Sequence, residues 1–264
     1  MEELANKVAL VTGANRGIGR VISLRLAMAG AQLVLAGRDQ AGLEETARLI
    51  QEDESVPKVS PLICQMDLLD LPSISATVNK AIEVFEGIDI LVNNSGITGK
   101  VAPLWDLNEE DWDETIDTNL KGPFLLSRAV IPSMLARKSG SIVFIGSVTG
   151  KRPFMHRSVY AASKLGLVGM MRTLALELGP HGIRVNLISP GFVSGPRLDG
   201  VIETVAEIER ISNEDANAKM RAMIPMEEFV SPENIAEGVL FFASERSAGI
   251  TGDDLNISGG LVMY

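Results

Sequence analysis

KVALVTGANRGIGRVISLRLAMAG, residues 7–30, is the stretch that decides the fold. Lys7 to Thr12 is a short, β-rich apolar run, the pattern of a strand buried on both faces. From Ile18 to Ala29 the pattern turns amphipathic and helical. Between them lies Thr12-Gly13-Ala14-Asn15-Arg16-Gly17-Ile18-Gly19, with glycines spaced G-x-x-x-G-x-G rather than G-x-G-x-x-G. The mechanics are those of a dinucleotide turn. Gly13 permits the tight bend, Gly17 lets the backbone approach a pyrophosphate, and Gly19 allows helix and strand to pack closely. Unpaired N–H groups and the helix dipole then hold the negative charge.

Outward from this unit, strand and helix signals alternate. Strands are expected at Gln32–Ala36, Val59–Gln65, Ile88–Val92, Ser141–Gly146, Arg184–Ser189 and Leu255–Ile257, and helices at Gly42–Glu52, 71–86, 109–137, 158–179 and 232–244. Short apolar strands joined by helices imply a parallel sheet covered on both faces, a doubly wound Rossmann-like α/β fold. No linker or repeat divides residues 1–264, so one domain is expected. After Pro190-Gly191 the chain runs to Ser231 without a strand, and Val201–Met223 reads as one polar helix. Residues 192–231 are therefore a candidate substrate lid, because ligands bind at the carboxyl edge of such sheets.

Composition narrows the partners. With 24 Lys+Arg against 34 Asp+Glu, the net charge is -10, which disfavours nucleic acid and anionic membranes. No apolar run reaches the roughly 18 residues of a membrane span. The acidic start Met1-Glu2-Glu3-Leu4 is unlike a secretory leader. The single Cys64 sits in an apolar run as a structural thiol, and a reducing cytoplasm is the expected compartment. His156 and His181 are the only histidines, so no metal site is expected.

The end of the second strand reports on the cofactor. A carboxylate there binds the ribose 2′-OH of NAD. Here stand Gly37 and Arg38, with Arg16 in the glycine turn and Asp39 one residue late. Two guanidinium groups suit a 2′-phosphate, so NADP is expected, with NAD the alternative.

Tyr160-Ala161-Ala162-Ser163-Lys164 opens a helical stretch, and i, i+4 spacing places Tyr160 and Lys164 on one face. A free phenol titrates near 10. An ammonium about 4 Å away is worth about 4 kcal/mol at an effective dielectric of about 20, enough to draw the phenol toward neutrality. Ser147 ends the strand Ser141–Gly146, where its hydroxyl is placed either to cap a turn or to bind a substrate oxygen.

Taken together, these motifs resemble the short-chain dehydrogenase/reductase family, in its short single-domain branch, along essentially the whole chain. Asn93-Asn94-Ser95-Gly96 is similar to the family's Asn-Asn-Ala-Gly, with Ser95 replacing alanine, and Asn119, Ser147, Tyr160 and Lys164 fall on its catalytic tetrad. The resemblance implies hydride transfer between a secondary alcohol and a ketone. Tyr160 would be the acid/base, with Lys164 tuning it and holding the nicotinamide ribose. Ser147 would orient the substrate oxygen, and Asn119 would position a relay water. Gly13, Asn15, Arg16, Gly17, Ile18, Gly19, Arg38, Asp67, Leu68, Asn93, Gly96, Pro190, Gly191 and Val193 would line the cofactor, Asp67 accepting from the adenine amino group and Val193 meeting the carboxamide. The Ser95 hydroxyl is expected near the nicotinamide. A homotetramer, or a homodimer, is implied, its tail being Thr251–Gly260.

Lys151, Arg152, His156 and Arg157 crowd the loop between Ser147 and Tyr160, and Arg197 opens the lid. Arg152, His156 and Arg197 are thus candidate contacts, with Ser147, for a polar or anionic small molecule of sugar, polyol, hydroxy-acid or sulfonate type. Solvent-facing side chains are the competing explanation. Reduction of a 3-oxoacyl thioester is the runner-up, disfavoured by the polar stretch Glu203–Arg221. A non-catalytic dinucleotide sensor would be expected to lose Tyr160 or Lys164, and both are kept. Neither a Gly-x-Ser-x-Gly elbow at Ser147 nor a P-loop is present.

Overall fold

The computed structural model describes residues 3–57 and 59–264; the Met1-Glu2 part of the acidic start lies outside them. Seven strands, β1 (Val8–Thr12), β2 (Gln32–Gly37), β3 (Leu62–Gln65), β4 (Ile90–Asn93), β5 (Gly140–Ile145), β6 (Ile183–Pro190) and β7 (Asp254–Ile257), form one sheet. Its order is β3-β2-β1-β4-β5-β6-β7, with every pairing parallel.

Alternation along each strand divides the core in two. Ala9, Val11, Leu33, Leu35, Val92, Val143 and Ile188 face one side, against α1 (Gly17–Met28), α2 (Gln40–Glu52) and α9 (Pro232–Ala243). Leu10, Val34, Leu91, Ile142, Phe144, Val185 and Leu187 face the other, against α3 (Leu71–Phe85), α5 (Gly122–Arg137) and α6 (Ser158–Leu178). Both faces are covered, as continuous apolar strands require. The α/β doubly wound expectation holds.

Three local departures have physical causes. The third strand begins at Leu62, not Val59, because Pro61 has no N–H to pair. The expected 109–137 helix is α4 (Glu109–Ile116) and α5, joined by a π-helical turn at Asp117–Lys121. The polar lid helix is two: α7 (Pro196–Glu209) and α8 (Asn213–Ala222), broken where Arg210 takes a φ of +57°. Leu198, Ile202 and Ala206 of α7 pack on Ala216 and Met220 of α8, a small core of the lid's own.

Strand order places the site. The chain leaves β1 for β2 and β3, then returns to the other side of β1 as β4. Helices therefore diverge beyond the carboxyl ends of β1 and β4, opening a crevice where such sheets bind ligands. No helix among the described residues is long and apolar enough to cross a membrane, and no His/Cys/Asp/Glu cluster there could hold a metal.

Candidate active site

The glycine turn follows β1 in the form its sequence requires. Gly13 and Gly17 have φ of +64° and +54°, a region that side chains disfavour. A Cβ at Gly19 would stand 2.2 Å from the Gly13 carbonyl oxygen, so only glycine fits there. Arg16 occupies the N-cap of α1 without a side-chain cap, leaving the first N–H groups open toward an anion. Ile18 packs on the core beneath, and Asn15 Nδ2 reaches Asp39 at 3.4 Å.

Asp39 is committed elsewhere. It caps α2, its Oδ1 accepting from Gly42 N at 3.1 Å. Arg16 and Arg38 are exposed, and neither guanidinium donates to a described residue. The donor set thus fits a dinucleotide carrying a 2′-phosphate. Asp39→Ala should cost about 0.5–2 kcal/mol of stability, as a lost N-cap does, without altering the preference between NADPH and NADH. Urea unfolding and cofactor titration check the two halves.

The remaining cofactor candidates lie at or just beyond the carboxyl ends of β3, β4 and β6. Asp67 accepts from Leu69 N through Oδ1. Leu68 is core, buried under Gly122, so only its main chain is available to a ligand. Asn93 ends β4 with Nδ2 on Ser127 Oγ and Oδ1 buried and unpaired among the described residues. Asn94 ties β4 back to β1, its Nδ2 donating to Thr12 O at 2.8 Å. Ser95 Oγ lies against Gly13, about where a Cβ there would meet it at 3.1 Å, so its hydroxyl belongs to the glycine turn. Pro190 closes β6; Gly191 N donates to Ile257 O, and Val193 bridges Val230.

Asn119 and Lys164 meet at Gly96, and the Tyr160 ring stands beside Lys164. Ser147 follows β5 and accepts from Thr149 N at 3.1 Å. Its oxygen is fixed by the turn while its O–H has no acceptor among the described residues, so capping leaves a donor for a ligand. Lys164 is 5% exposed, and its Nζ donates to Ile145 O at 2.9 Å and lies 5.8 Å from the Tyr160 ring centroid. A Cβ on Gly96 would stand 3.0 Å from Asn119 Oδ1 and 3.4 Å from Lys164 Nζ. Burial, with Arg197 nearby, pushes the Lys164 pKa down to about 7.

That shift has a sign. Below about 7 the folded protein must bury a charged lysine, and the penalty fades as pH rises toward the ordinary 10.5. The cofactor-free protein should therefore gain stability relative to Lys164→Met as pH rises from 7 to 9. Melting curves of both proteins across that range measure the difference.

Asn119 is buried beside Gly96, with its amide engaged by neighbouring groups. Its Oδ1 accepts from Ile97 N, and its Nδ2 donates to Ile97 O and Ser163 Oγ, so the side chain is spent on structure. The helical partner for its carbonyl would be the N–H of residue 123, which is Pro123. The π-turn there has Gly122 N on Asp117 O. The Asn119 main-chain carbonyl thus lacks an i+4 donor, while the side-chain amide is already engaged. Proline four residues on was the readable signal.

The basic loop sorts into tied and untied groups. Lys151 pairs with Asp254 at 2.8 Å and donates to Asn256. Arg152 donates to Leu261 O and lies over Phe154. His156 sits at φ +64°. Arg197, in the first turn of α7, donates to Gly96 O at 2.7 Å, beside Asn119 and Lys164.

Comparison with known proteins matches this arrangement to one group. Residues 7–205 match the short chain dehydrogenase family. The 3-oxoacyl-acyl-carrier-protein reductase FabG of Thermotoga maritima is 38% identical over 261 residues, covering 98% of this chain and 99% of that protein. The structure of NAD+-bound xylitol dehydrogenase matches with a TM-score of 0.93 and 29% identity, over 97% of this chain and 99% of that one. An actinorhodin polyketide ketoreductase with NADPH matches with a TM-score of 0.92 and 36% identity, over 98% of each chain. With its sheet order and near-full-length relatives agreeing, the chain belongs to the short chain dehydrogenase family, oxidoreductases that act on CH–OH groups with NAD(P).

Proposed function

We propose that the protein interconverts a secondary alcohol and a ketone on a polar small molecule, with NADP as cofactor. The observation that carries this reading is the buried Lys164, held beside Tyr160 and Gly96 at the mouth of the crevice. Gly13 to Gly19, Arg16 and Arg38 would hold the dinucleotide's phosphates, and Asn93, Gly96 and Val193 would line its path. Hydride exchange with the carbonyl carbon is the chemistry the nicotinamide supplies when bound.

The chain's own residues handle the oxygen and the proton. In the reducing direction Ser147 donates its free O–H to the substrate oxygen, stabilising the charge that develops there. Tyr160 delivers its hydroxyl proton to that oxygen, completing the alcohol. The ammonium of Lys164 stabilises the phenolate left behind. Lys164 holds its own proton weakly near neutrality and so passes it on readily. Water held at the Asn119 carbonyl would reconnect the lysine to solvent. Oxidation runs the same steps backward.

A second reading, reduction of a 3-oxoacyl thioester, is favoured by the names of relatives such as the Thermotoga enzyme. The polarity of Glu203–Arg221 does not oppose it, because the apolar residues of α7 and α8 are turned together and inward. Purified protein incubated with NADPH or NADH and a panel of ketoses, keto acids and acetoacetyl thioesters tests both readings. Consumption with keto sugars or keto acids is expected; turnover confined to thioesters selects the second reading, and failure to bind either dinucleotide overturns both. The same reading expects a homotetramer or homodimer. It is supported by Phe124, Leu165 and Leu176, exposed on α5 and α6, and light scattering on the purified protein measures it.

A further inference from the structure

We infer that Arg157, assisted by Arg197 of the lid, is a receptor for an anionic group carried by the substrate within a few bonds of the reacting carbonyl. The inference rests on the dehydrogenase reading and adds a substrate class to it: keto acids, keto sulfonates and the corresponding hydroxy compounds.

The loop from Ser147 to Tyr160 carries three cations besides His156, and two of them are consumed. Lys151 is neutralised by Asp254, and Arg152 holds the C-terminal segment through Leu261 O. Arg157 is different. Its Nη1 is buried, with no hydrogen-bond partner among the described residues, and no carboxylate there lies within ion-pair distance. Arg157 is half-buried, and its Nη1 has lost water without gaining an acceptor, a cost that an anion relieves. Burial indeed holds its pKa below the usual arginine value, with Tyr160 opposing that shift.

Position gives the vacant donor its meaning. Arg157 is the N-cap residue of α6, three residues before Tyr160 and so one turn away on the same side of the helix. Arg197 approaches from the lid. It donates one N–H to Gly96 O, and a guanidinium has five, so others remain for a ligand. Arg157 and Lys164 lie beside Tyr160, and Arg197 lies beside Lys164, a local run of positive charge in a protein whose net charge is -10. A carboxylate or sulfonate beside the carbonyl would pair with the planar fork of Arg157 by charge-assisted hydrogen bonds. A neutral thioester would leave it unpaired.

Two measurements test this on the intact protein. In the first, the NADP+-saturated protein is titrated with methanesulfonate or with dimethyl sulfone, its neutral counterpart, at constant ionic strength. Saturable thermal stabilisation by methanesulfonate alone is expected in the parent, with loss in Arg157→Gln and partial return in Arg157→Lys. Equal stabilisation by both compounds, no stabilisation of the parent, or an undiminished response in Arg157→Gln overturns the assignment. In the second, kcat/KM is compared for acetoacetate, 2-oxopropanesulfonate and ethyl acetoacetate. The ratio of anionic to neutral substrate should fall about 10- to 100-fold in Arg157→Gln, the worth of charged hydrogen bonds, and an unchanged ratio overturns it. NADPH titration of each variant reports folding. Full activity of Tyr160→Phe would sink the dehydrogenase mechanism without touching the anion titration, so the two failures are distinguishable.

Discussion

Tyr160→Phe should bind NADPH as the parent does yet reduce ketones about 10²- to 10⁴-fold more slowly, the range that a positioned acid/base contributes. Phenylalanine keeps the half-buried ring and its face toward Lys164, 5.8 Å from the ring centroid, so fold and cofactor site survive. What disappears is the hydroxyl proposed to deliver a proton to the substrate oxygen. Ser147 cannot replace it. Its oxygen is anchored by Thr149 N, and its O–H serves as a donor that stabilises charge without a route to resupply the proton. Because Tyr160 and Lys164 act as a unit, adding Lys164→Met to Tyr160→Phe should cost little more, as expected for non-additive catalytic groups. Single-turnover rates with saturating NADPH provide the readout. A Tyr160→Phe variant within about tenfold of the parent rate would remove the tyrosine from the mechanism.

What could be read from sequence follows the range of the physics involved. The β1 turn was legible because Gly13, Gly17 and Gly19 answer local demands, two on φ and one on the 2.2 Å approach to Gly13 O. Layering followed from the continuous apolar strands, since neighbours such as Leu10 and Val11 go to opposite faces and both must be covered. Long-range pairing was not legible. Nothing near Lys151 or Arg152 announces that Asp254 and Leu261, about a hundred residues on, will bind them while Arg157 is left alone. The break between α7 and α8 was hidden for a related reason. Arg210 enters the left-handed region without a glycine, because packing Leu198 and Ile202 onto Met220 requires the chain to double back. Asn119 shows an intermediate case. The residue was found from its place among the motifs and Pro123 marked its carbonyl as lacking an i+4 donor, but the tie of its amide to Ile97 and Ser163 is long-range and could not be read.

The cofactor preference is where local and long-range readings meet, and it yields the second large effect. Asp39 stands one residue past the position at which a carboxylate would bind a ribose 2′-OH, and the structure turns it into the α2 cap, bound to Gly42 N and Asn15. Arg16 and Arg38 remain on the two sides of the glycine turn without acceptors among the described residues. In the proposed function each would pair with a 2′-phosphate by charge-assisted hydrogen bonds worth about 1.5–3 kcal/mol. Arg16→Ala combined with Arg38→Asp should therefore weaken NADPH by about 10²- to 10⁴-fold, since the two contributions together amount to about 3–6 kcal/mol. NADH lacks the 2′-phosphate and should lose little, and the carboxylate introduced at position 38 gives its ribose hydroxyl an acceptor while repelling the phosphate of NADPH. The preference should thus reverse rather than fade. High salt separates the contributions: screening should weaken NADPH binding to the parent more than NADH binding, because only the former depends on exposed charge pairs. Equal affinities of the parent for the two dinucleotides, measured by fluorescence titration, would show instead that Arg38 packs on the adenine face and that the phosphate pair is absent.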